Sequence, residues 1–374
     1  MITEIHIENF KSLHNFTLSR MGNFVCIIGL NGAGKTSFLQ ALNFVGILAA
    51  GSTCFRGWRK SDILTLGSGT KTCSFRFVFD FDGKTAMWSG RFNINKQRLV
   101  EEHFRDSVDG ADILALKDGK LTWRSDFNNA SQYPSDVSVM TYEGSIVSVF
   151  DFGDTVVSKI KKELLGFESL ELVTPDKLRK AWQETDRLGL GGEGLAGFLS
   201  SLNSSDAADL DARMSDIYPE VKKYDIKRQR FGWKKLLLHE NAHQGTVSVD
   251  HINDGYLRVL AMISQRYANS GTVLLDEIEN GINQEVVEKL VSNFLNYNRR
   301  QVIVTTHSPL ILNYLPDDEA RKSVFLFMKD AKGHTSAVNF FELDQTKDKL
   351  GLLGPGEVMS DTDLKVLNPK VSSN

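Results

Sequence analysis

The chain has 374 residues, of which 41% are hydrophobic and 24% are charged, and its formal net charge is −3. This composition is typical of a globular protein with one or two domains, and it argues against a body that coats nucleic acid through overall positive charge. Three cysteines, Cys26, Cys54 and Cys73, lack the spacing of disulfide partners or metal ligands, which favours a reducing compartment over secretion. The start of the chain is too polar for a signal peptide, and no apolar run approaches the roughly 20 residues of a membrane-spanning helix. We therefore expect a cytoplasmic protein without a membrane span.

The first fifty residues predict a β-hairpin followed by a strand, a loop and a helix. Residues 1–20 have the pattern of the hairpin, and the apolar run Phe24–Ile28 predicts a buried strand. That strand leads directly into Gly29–Thr36, which matches the complete phosphate-loop pattern G-x-x-x-x-G-K-[ST]. The amphipathic stretch Ser37–Leu48 then supplies a helix whose N-terminus would face an anion. Strand, loop and helix in this order predict a nucleotide site.

The residue types in this loop suit the binding of a triphosphate. Gly29, Gly32 and Gly34 allow backbone N–H groups to turn inward, because no Cβ stands in the way. Lys35 is predicted to reach the β- and γ-phosphates and to take part in catalysis, and the hydroxyl of Thr36 is predicted to bind Mg²⁺. The residues that we assign to nucleotide binding in this segment are Gly29, Asn31, Gly32, Ala33, Gly34, Lys35, Thr36 and Ser37.

After residue 70 the sequence predicts an antiparallel sheet. Phenylalanines alternate with other residues up to Phe81, which is the pattern of a half-buried strand, and Asp82-Gly83 predicts the turn that follows it. Further strands are predicted at Thr85–Asn95, at Gln97–Phe104 and at Val137–Met140, the last of them returning to the core.

Between about residues 153 and 245 the pattern changes to helical periodicity with polar breaks. Apolar residues from Val156 to Leu165 predict one helix, and Pro175 is in a position to begin another. The glycine-rich stretch 188–197 predicts a flexible joint, and shorter helical patterns follow at 195–202 and 209–218. Long heptad repeats are missing from this region, so we expect no extended coiled coil.

Basic residues cluster between positions 222 and 235, interleaved with Tyr224, Phe231 and Trp233. The cluster could bind phosphates while the aromatic rings touch bases. The plainer interpretation, which the apolar Ile226 and Leu236–Leu238 favour, is a strand pair with one solvated basic face. The basic residues, through which DNA binding remains possible, are Lys222, Lys223, Lys227, Arg228, Arg230, Lys234 and Lys235.

Two apolar strand patterns late in the chain end in residues that suit phosphate chemistry. Thr272–Leu275 precedes Asp276 and Glu277, and Gln301–Thr306 precedes His307. We predict that Asp276 holds a magnesium ion and that Glu277 polarises the water that attacks the γ-phosphate. His307 is predicted to contact the γ-phosphate. An acidic pair at a strand end is by itself more often a turn, but the phosphate loop upstream favours the catalytic interpretation.

Together these motifs resemble those of the ABC-type ATPases of the SMC, RecF and OLD group. The resemblance rests on Ile5–Leu13, the loop Gly29–Ser37, the pair Asp276-Glu277 and the segment Thr305–Pro309. It implies an α/β fold, an ABC-type P-loop ATPase head with a mixed central sheet, an antiparallel β subdomain and an inserted helical lid, with ATP and Mg²⁺ as ligands. The implied divisions are 1–150 for the N-terminal part of the head, 151–245 for a mainly helical insertion with the basic strand pair, and 246–374 for the C-terminal part.

The resemblance also assigns a signature motif to Ile252–Arg258. This group usually has Leu-Ser-x-Gly there, so Asn253 replaces the serine, and Asn253 and Gly255 would contact ATP. The resemblance implies an ATP-driven homo-oligomer, at least a dimer, in which the signature of one protomer completes the phosphate site of the other. The alternative is an ordinary Asn-Asp-Gly turn that caps a helix over Tyr256–Tyr267. No clear Q-loop glutamine is found, because Gln132, the nearest candidate, precedes a strand where the group has glutamine after one.

The end of the chain bears on the partner that the resemblance implies. OLD nucleases continue into a TOPRIM domain, for which the stretch after His307 is too short, and the acidic residues there are interpreted as surface charge. The segment Gly354–Glu357 resembles the terminal motif of stand-alone OLD-like ATPases. These commonly occur beside a separate effector, often a nuclease, in bacterial anti-phage systems.

Three classes of function follow. The leading one is an ATP-hydrolysing switch that oligomerises on ATP and controls a separately encoded effector, expected to be a nuclease, in anti-phage defence. The second is a RecF-like DNA-repair ATPase that binds DNA through the basic cluster. The third is the ATPase subunit of a membrane transporter, against which the strands before the insertion, the replacement at Asn253 and the missing Q-loop glutamine all speak.

Overall fold

The structure, a computed structural model, describes residues 1–51, 62–124, 136–139, 141–150, 152–167, 169–170, 175–189, 191–241, 245–268, 271–297 and 300–367. Cys54 and Gln132 therefore lie outside the described residues. The strands are β1 (Ile2–Phe10), β2 (Leu13–Ser19), β3 (Phe24–Ile28), β4 (Thr72–Phe81), β5 (Lys84–Asn93), β6 (Arg98–Arg105), β7 (Asp112–Lys117), β8 (Lys120–Trp123), β9 (Asp136–Ser138), β10 (Ser169–Leu170), β11 (Val221–Arg228), β12 (Lys234–Glu240), β13 (Thr246–Ser248), β14 (Thr272–Leu275), β15 (Gln301–Thr305), β16 (Val324–Lys329) and β17 (Thr335–Asn339). The helices are α1 (Lys35–Ala49), α2 (Val156–Leu165), α3 (Leu195–Ser201), α4 (Ser204–Ile217), α5 (Asp254–Ser264), α6 (Gln284–Leu295), α7 (Pro309–Asn313), α8 (Asp317–Ser323), α9 (Pro355–Ser360) and α10 (Leu364–Leu367).

An antiparallel sheet takes up most of the N-terminal half, with the strand order β2-β1-β4-β5-β6-β7-β8-β9. The hairpin of β1 and β2 confirms the one predicted for residues 1–20, and β4 confirms the alternating strand. Phe75, Phe77 and Phe79 of β4 are buried, because every second side chain of a strand points to the same face. Asp82 and Gly83 form the predicted turn with φ angles of 56° and 82°. The short hairpin of β7 and β8 has no counterpart among the predictions.

One prediction made for the middle of the chain is confirmed in part and another is wrong. The strand expected at 137–140 is β9, which pairs with β8 at the edge of the antiparallel sheet, and Val139 after it is buried in an apolar core. Met140 lies outside the described residues. Pro175 begins only a three-residue 3₁₀ turn, Pro175–Lys177, because the chain beyond it extends to form a bridge between Trp182 and Lys234.

A second, mixed sheet has the strand order β10-β14-β15-β3-β16-β17. The first five strands run parallel to one another, and β17 is antiparallel to β16. All residues of β3, β14 and β15 are buried, as expected for parallel strands that are covered on both faces. Because these three strands are parallel neighbours, the loops after Ile28, Leu275 and Thr305 leave the sheet at the same edge.

The mixed sheet lies between two apolar cores. Val25 and Ile27 face a core shared with α1, α2 and the antiparallel sheet. Phe24, Cys26 and Ile28 face a core shared with α5, α6 and the insertion. Because successive side chains of β3 point to opposite faces of the sheet, this one strand packs against both cores.

The insertion has helices and a sheet of its own. The helices α2 and α3 confirm two of the predicted helical segments, and α4 begins at Ser204, earlier than predicted, because the side chain of Asn203 caps it. β11, β12 and β13 form a three-stranded antiparallel sheet, which confirms the predicted strand pair. β10 extends the mixed sheet beside β14. The predicted domain boundary between residues 150 and 151 stays a prediction.

Among the described helices, none has both the length and the apolar character needed to cross a membrane.

Candidate nucleotide site

The parallel edge of the mixed sheet brings together three segments that are far apart in the sequence. The phosphate loop follows β3, Asp276 and Glu277 follow β14, and His307 follows β15. A backbone hydrogen bond of 3.0 Å from the nitrogen of Thr306 to the carbonyl oxygen of Ile27 holds the ends of β15 and β3 together. The position of each segment is thus fixed by strand pairing.

The phosphate loop is shaped by close contacts that only glycine allows. Gly29 and Gly34 have φ angles of 146° and 104°, which L side chains rarely adopt. A Cβ on Gly29 would lie 2.4 Å from the carbonyl oxygen of Phe327, and a Cβ on Gly34 would lie 2.1 Å from Oγ1 of Thr335. Gly34 also caps the start of α1, whose first residue is Lys35. The loop therefore keeps the backbone cradle and the helix N-terminus that phosphate oxygens need.

Thr335 of β17 supports the loop from the far side of the sheet. Its Oγ1 lies 2.9 Å from the carbonyl oxygen of Ala33 and 2.8 Å from Oγ of Ser12. The backbone nitrogen of Thr335 also donates to the carbonyl oxygen of Ser12 at 2.8 Å. No local pattern predicts this contact, because a threonine in an edge strand has no distinguishing neighbours.

Lys35 is buried at the centre of the cluster. Its Nζ donates to the carbonyl oxygens of Gly29 and Leu30 at 2.9 and 3.3 Å, and it lies 3.4 Å from Nδ1 of His307. Burial lowers the pKa of Lys35 from its ordinary value, and the carboxylates of Asp276 and Glu277, with a third from Glu279, oppose that shift. The ammonium group is thus held at the loop by neutral acceptors, whose place phosphate oxygens can take.

Thr36 and Asp276, the predicted magnesium ligands, are in hydrogen-bond contact. Oγ1 of Thr36 donates to Oδ2 of Asp276 at 3.2 Å, and Oγ1 of Thr305 donates to Oδ1 of the same carboxylate. Hydroxyl and carboxylate oxygens are the hard donors that Mg²⁺ prefers, so these residues fit that ion. Sequence reasoning missed the role of Thr305, although it lies in the Thr-Thr-His-Ser-Pro segment that carries the resemblance.

Glu277 and His307 lie next to the Lys35 ammonium. Nε2 of His307 is 3.6 Å from Oε1 of Glu277, and both side chains remain partly exposed. The backbone of Glu277 has a φ of 49°, which is strained for a residue with a side chain, and its nitrogen donates to Oγ1 of Thr305 at 2.8 Å. With Nδ1 of His307 facing an ammonium group, the neutral ring carries its proton on Nε2, toward the carboxylate.

Glu279 is a third carboxylate of this site, and sequence reasoning did not single it out. Its Oε1 accepts a 2.7 Å hydrogen bond from the backbone nitrogen of His307. The hydrogen bond to Glu279 holds the backbone of His307 in place. It thereby helps to position the histidine ring beside Lys35 and the phosphate loop. After the strand, Glu277 and Glu279 stand two positions apart and so would share a face if the strand continued. This pattern is too short to single out Glu279.

The predicted signature residues lie at the start of α5. Asn253 is exposed, and its Oδ1 accepts hydrogen bonds from the backbone nitrogens of Gly255 and Tyr256 at 2.7 and 3.4 Å. The turn that caps a helix, which was the alternative interpretation, is therefore present. Nη1 of Arg258 donates to the carbonyl oxygen of Asn280 at 2.9 Å, so α5 is also joined to the loop that follows Glu277. These hydrogen bonds keep Asn253 and Gly255 at the helix start, and their contact with ATP stays a prediction.

The basic cluster lies apart, on the three-stranded sheet. Arg228 and Arg230 are exposed, as are the rings of Phe231 and Trp233 in the turn between β11 and β12. Lys234 is different: it is buried, and its Nζ lies 3.5 Å from Oε2 of Glu184. Lys234 is therefore less accessible to DNA than the rest of the cluster, and DNA binding through these residues stays a prediction.

Comparisons with known proteins address the fold and the family. The structure resembles the SMC head bound to the C-winged helix domain of ScpA, with a TM-score of 0.56, 13% identity, and coverage of 90% of this chain and 96% of that one. The SMC head domain from Thermotoga maritima gives a TM-score of 0.50 at 12% identity, with 90% and 98% covered. At such identities the likeness establishes the fold alone, which is that of an SMC head-like P-loop ATPase.

Sequence comparisons agree with that fold. Uncharacterized protein MJECL10 of Methanocaldococcus jannaschii is 29% identical over 168 residues, which cover 41% of this chain and 70% of that protein. A family described as "AAA domain, putative AbiEii toxin, Type IV TA system" matches residues 24–313. Because this match runs from the first residue of β3 to the last residue of α7 and includes every loop of the nucleotide site, the chain belongs to that family of AAA ATPase domains.

Proposed function

We propose that this protein is an ATP-hydrolysing switch that oligomerises on ATP and controls a separately encoded effector. The observation that carries the proposal is the meeting of Lys35 and Thr36 with Asp276, Glu277 and His307 at one sheet edge. A cation, a hydroxyl beside a carboxylate, and a second, partly exposed carboxylate are the groups that phosphoryl transfer to water requires.

Each side chain has a role that its position suits. Lys35 balances the charge of the β- and γ-phosphates, and Glu277 accepts a proton from the attacking water. His307 donates through Nε2 to the γ-phosphate once the phosphate separates it from Glu277. Mg²⁺ held by Thr36 and Asp276 would neutralise charge that develops on the phosphate oxygens.

The dimer is proposed from the exposed start of α5. Asn253 presents its side chain to solvent at a helix N-terminus, where the helix dipole favours an anion and where its amide NH₂ group can donate to phosphate oxygens. ATP bound to one protomer can therefore be completed by Asn253 and Gly255 of a second copy. Since ATP would then bridge two surfaces, binding favours the closed dimer and hydrolysis releases it.

The effector and the defence role are proposed from the family and from the insertion. The family description names a toxin and a Type IV toxin–antitoxin system, which is a setting where a paired component is expected. The insertion contributes β11 and β12 to a separate three-stranded sheet, and the exposed side chains of the edge strand β11 offer a surface to a partner. We propose a nuclease as the effector and bacterial anti-phage defence as the setting.

The switch is tested by the molar mass of the protein in solution. The Glu277→Gln variant should be monomeric without nucleotide and dimeric, or larger, with ATP and magnesium, because the bridging phosphate persists. Lys35→Ala is the matched control and should stay monomeric in both conditions. A Glu277→Gln variant that binds ATP by calorimetry but keeps its monomer mass at all protein concentrations would remove the dimer from the proposal.

A RecF-like ATPase that binds DNA is the second candidate, and the turn between β11 and β12 favours it. Phe231 is 89% exposed beside Arg228 and Arg230, an arrangement that suits contact with phosphates and bases. Binding of a labelled DNA duplex should then weaken steeply with salt. Replacement of both arginines by glutamate should abolish it, whereas Lys84→Glu, at the exposed β4–β5 turn, should not. Equal binding by the two variants would exclude this surface.

A further inference from the structure

Arg179 holds the loop that opens the signature segment. Its Nη2 donates to the carbonyl oxygen of Ile252 at 2.7 Å and to Oδ1 of Asp254 at 2.5 Å. These two acceptors lie immediately before and after Asn253. A single guanidinium group therefore fixes the backbone on one side of Asn253 and a side chain on the other.

The hydrogen bonds of Asn253 explain why such support is needed. Its Oδ1 is occupied by the cap of α5, and its side chain is otherwise in solvent. The residue before it, Ile252, has extended backbone angles, and its nitrogen donates to the carbonyl oxygen of Val249 at 3.3 Å, which closes the short 3₁₀ turn Val249–His251. Arg179 adds to these local bonds the contacts that join the loop to a distant segment of the chain.

Stability by itself does not account for this contact. The Arg179 side chain is only 18% exposed, whereas that of Asp254 is 59% exposed, and ion pairs with such solvated partners contribute little to folding. Nη1 of Arg179 is buried and has no hydrogen-bond partner among the described residues, which is unfavourable. The contact is therefore better explained by the loop that Arg179 positions.

The segment that carries Arg179 is itself joined to the basic hairpin. Trp182 and Lys234 exchange backbone hydrogen bonds of 3.1 and 2.8 Å. The next residue of β12, Lys235, donates to Oδ2 of Asp250 at 2.6 Å, just before the signature loop. The base of β12 therefore contacts both the segment that carries Arg179 and Asp250, which precedes the signature loop.

We propose that Arg179 is a positioning residue for the signature loop, which holds Asn253 where ATP on a second copy of the chain meets it. The proposal rests on the proposed function, because it requires the ATP-bridged dimer. It assigns to the insertion a defined part in dimerisation: the segment from Arg179 to Trp182 links the basic hairpin to the residues that contact the partner's nucleotide.

The test measures the dimer dissociation constant in a Glu277→Gln background with saturating ATP and magnesium. Arg179→Ala should weaken the dimer roughly 10- to 100-fold, because a small displacement of a contact residue is enough for such a loss. The affinity of the monomer for ATP, measured at protein concentrations below dimerisation, should stay unchanged. Asn253→Ala should behave in the same way.

A double-variant cycle then distinguishes positioning from a general structural effect. Because Arg179 acts through Asn253, Arg179→Ala added to Asn253→Ala should weaken the dimer further by less than about 3-fold. If Arg179→Ala does not fold, Arg179→Lys, which keeps the charge but lacks the planar guanidinium fork, takes its place in the cycle. If the Glu277→Gln protein dimerises on ATP, two results would overturn the role of Arg179 and leave the proposed function intact. One is that Arg179→Ala has no effect, and the other is that the effects of Arg179→Ala and Asn253→Ala are fully additive. Absence of any ATP-dependent dimer overturns the proposed function and this inference together.

Discussion

Thr305 holds Asp276 in place from the neighbouring strand: its Oγ1 donates a hydrogen bond to Oδ1 of the aspartate. The same oxygen accepts a bond from the backbone nitrogen of Glu277. One hydroxyl at the end of β15 therefore sets the orientation of both acidic residues at the end of β14. The hydrogen bond from the Glu277 nitrogen also helps to hold the backbone of that residue at its strained, positive φ.

Replacement of Thr305 should impair the metal site without loss of the fold. Thr305→Val keeps the shape but removes the hydroxyl, so we expect kcat/KM for magnesium-dependent ATP hydrolysis to fall roughly 10- to 100-fold, as for other groups that orient a metal ligand. Thr305→Ser, which keeps the hydroxyl, should retain most of the activity. Steady-state hydrolysis over a range of magnesium concentrations measures both, and equal losses in the two variants would contradict a role for the hydroxyl.

Glu277→Gln should separate binding from hydrolysis. The carboxamide cannot accept a proton from water, so hydrolysis should fall by about 10²- to 10⁴-fold while ATP still binds. Lys35→Ala should instead abolish binding, because it removes the ammonium group that the carbonyl oxygens of the loop hold in place. Calorimetry with ATP and a phosphate-release assay report the two steps. Retained hydrolysis in Glu277→Gln would show that another group activates the water.

His307→Ala should reduce hydrolysis by a smaller factor, about 10-fold, because a γ-phosphate contact is one of several that stabilise the transition state. Glu279→Ala should produce the same defect, since it removes the acceptor that holds the backbone of His307. Glu279→Gln keeps an acceptor oxygen and serves as the control. Combining His307→Ala with Glu279→Ala should add little to either alone, and a multiplicative loss would mean that Glu279 acts independently.

Glu102 predicts a pH dependence of stability that is unrelated to the nucleotide. The side chain is fully buried in the antiparallel sheet and accepts bonds from Ser145 Oγ at 2.7 Å, the Ile146 nitrogen at 2.6 Å and Trp88 Nε1 at 3.2 Å. Burial raises the pKa of Glu102 from 4.5 to about 7, against the effect of these donors. The folded-state pKa lies above the unfolded one. The contribution of Glu102 to the free energy of unfolding is therefore fully present below pH 4.5 and is lost as the pH rises through 7.

The measurement is urea unfolding of the wild type and of Glu102→Gln at a series of pH values. The difference between their free energies of unfolding should decline by up to about 3 kcal/mol between pH 4.5 and pH 7. Subtraction of the two curves removes the other titrating groups, which both proteins share. Parallel curves across this range would mean that Glu102 has an ordinary pKa in the folded protein.

Local sequence patterns determined much of the fold and of the candidate site. The phosphate loop, the acidic pair after β14 and His307 after β15 each follow an apolar run that forms a strand as predicted. The hairpin of β1 and β2 and the alternating strand β4 were equally readable. All of these depend on periodicity or on residue types within a few positions, which the chain displays without reference to its fold.

Only the tertiary structure decided which side chains support these motifs. Thr335 contacts Ala33, Glu279 contacts the backbone of His307, and Arg179 contacts the loop at Ile252 and Asp254. Such pairings depend on which strands are neighbours and on how the insertion folds back, and these follow from burial of apolar surface across the whole chain. Pro175 illustrates the limit, because its helical start signal was overridden by the bridge that its segment forms with β12. A local pattern specifies the element that it builds, whereas a contact between distant residues exists only after the sheets and helices have packed.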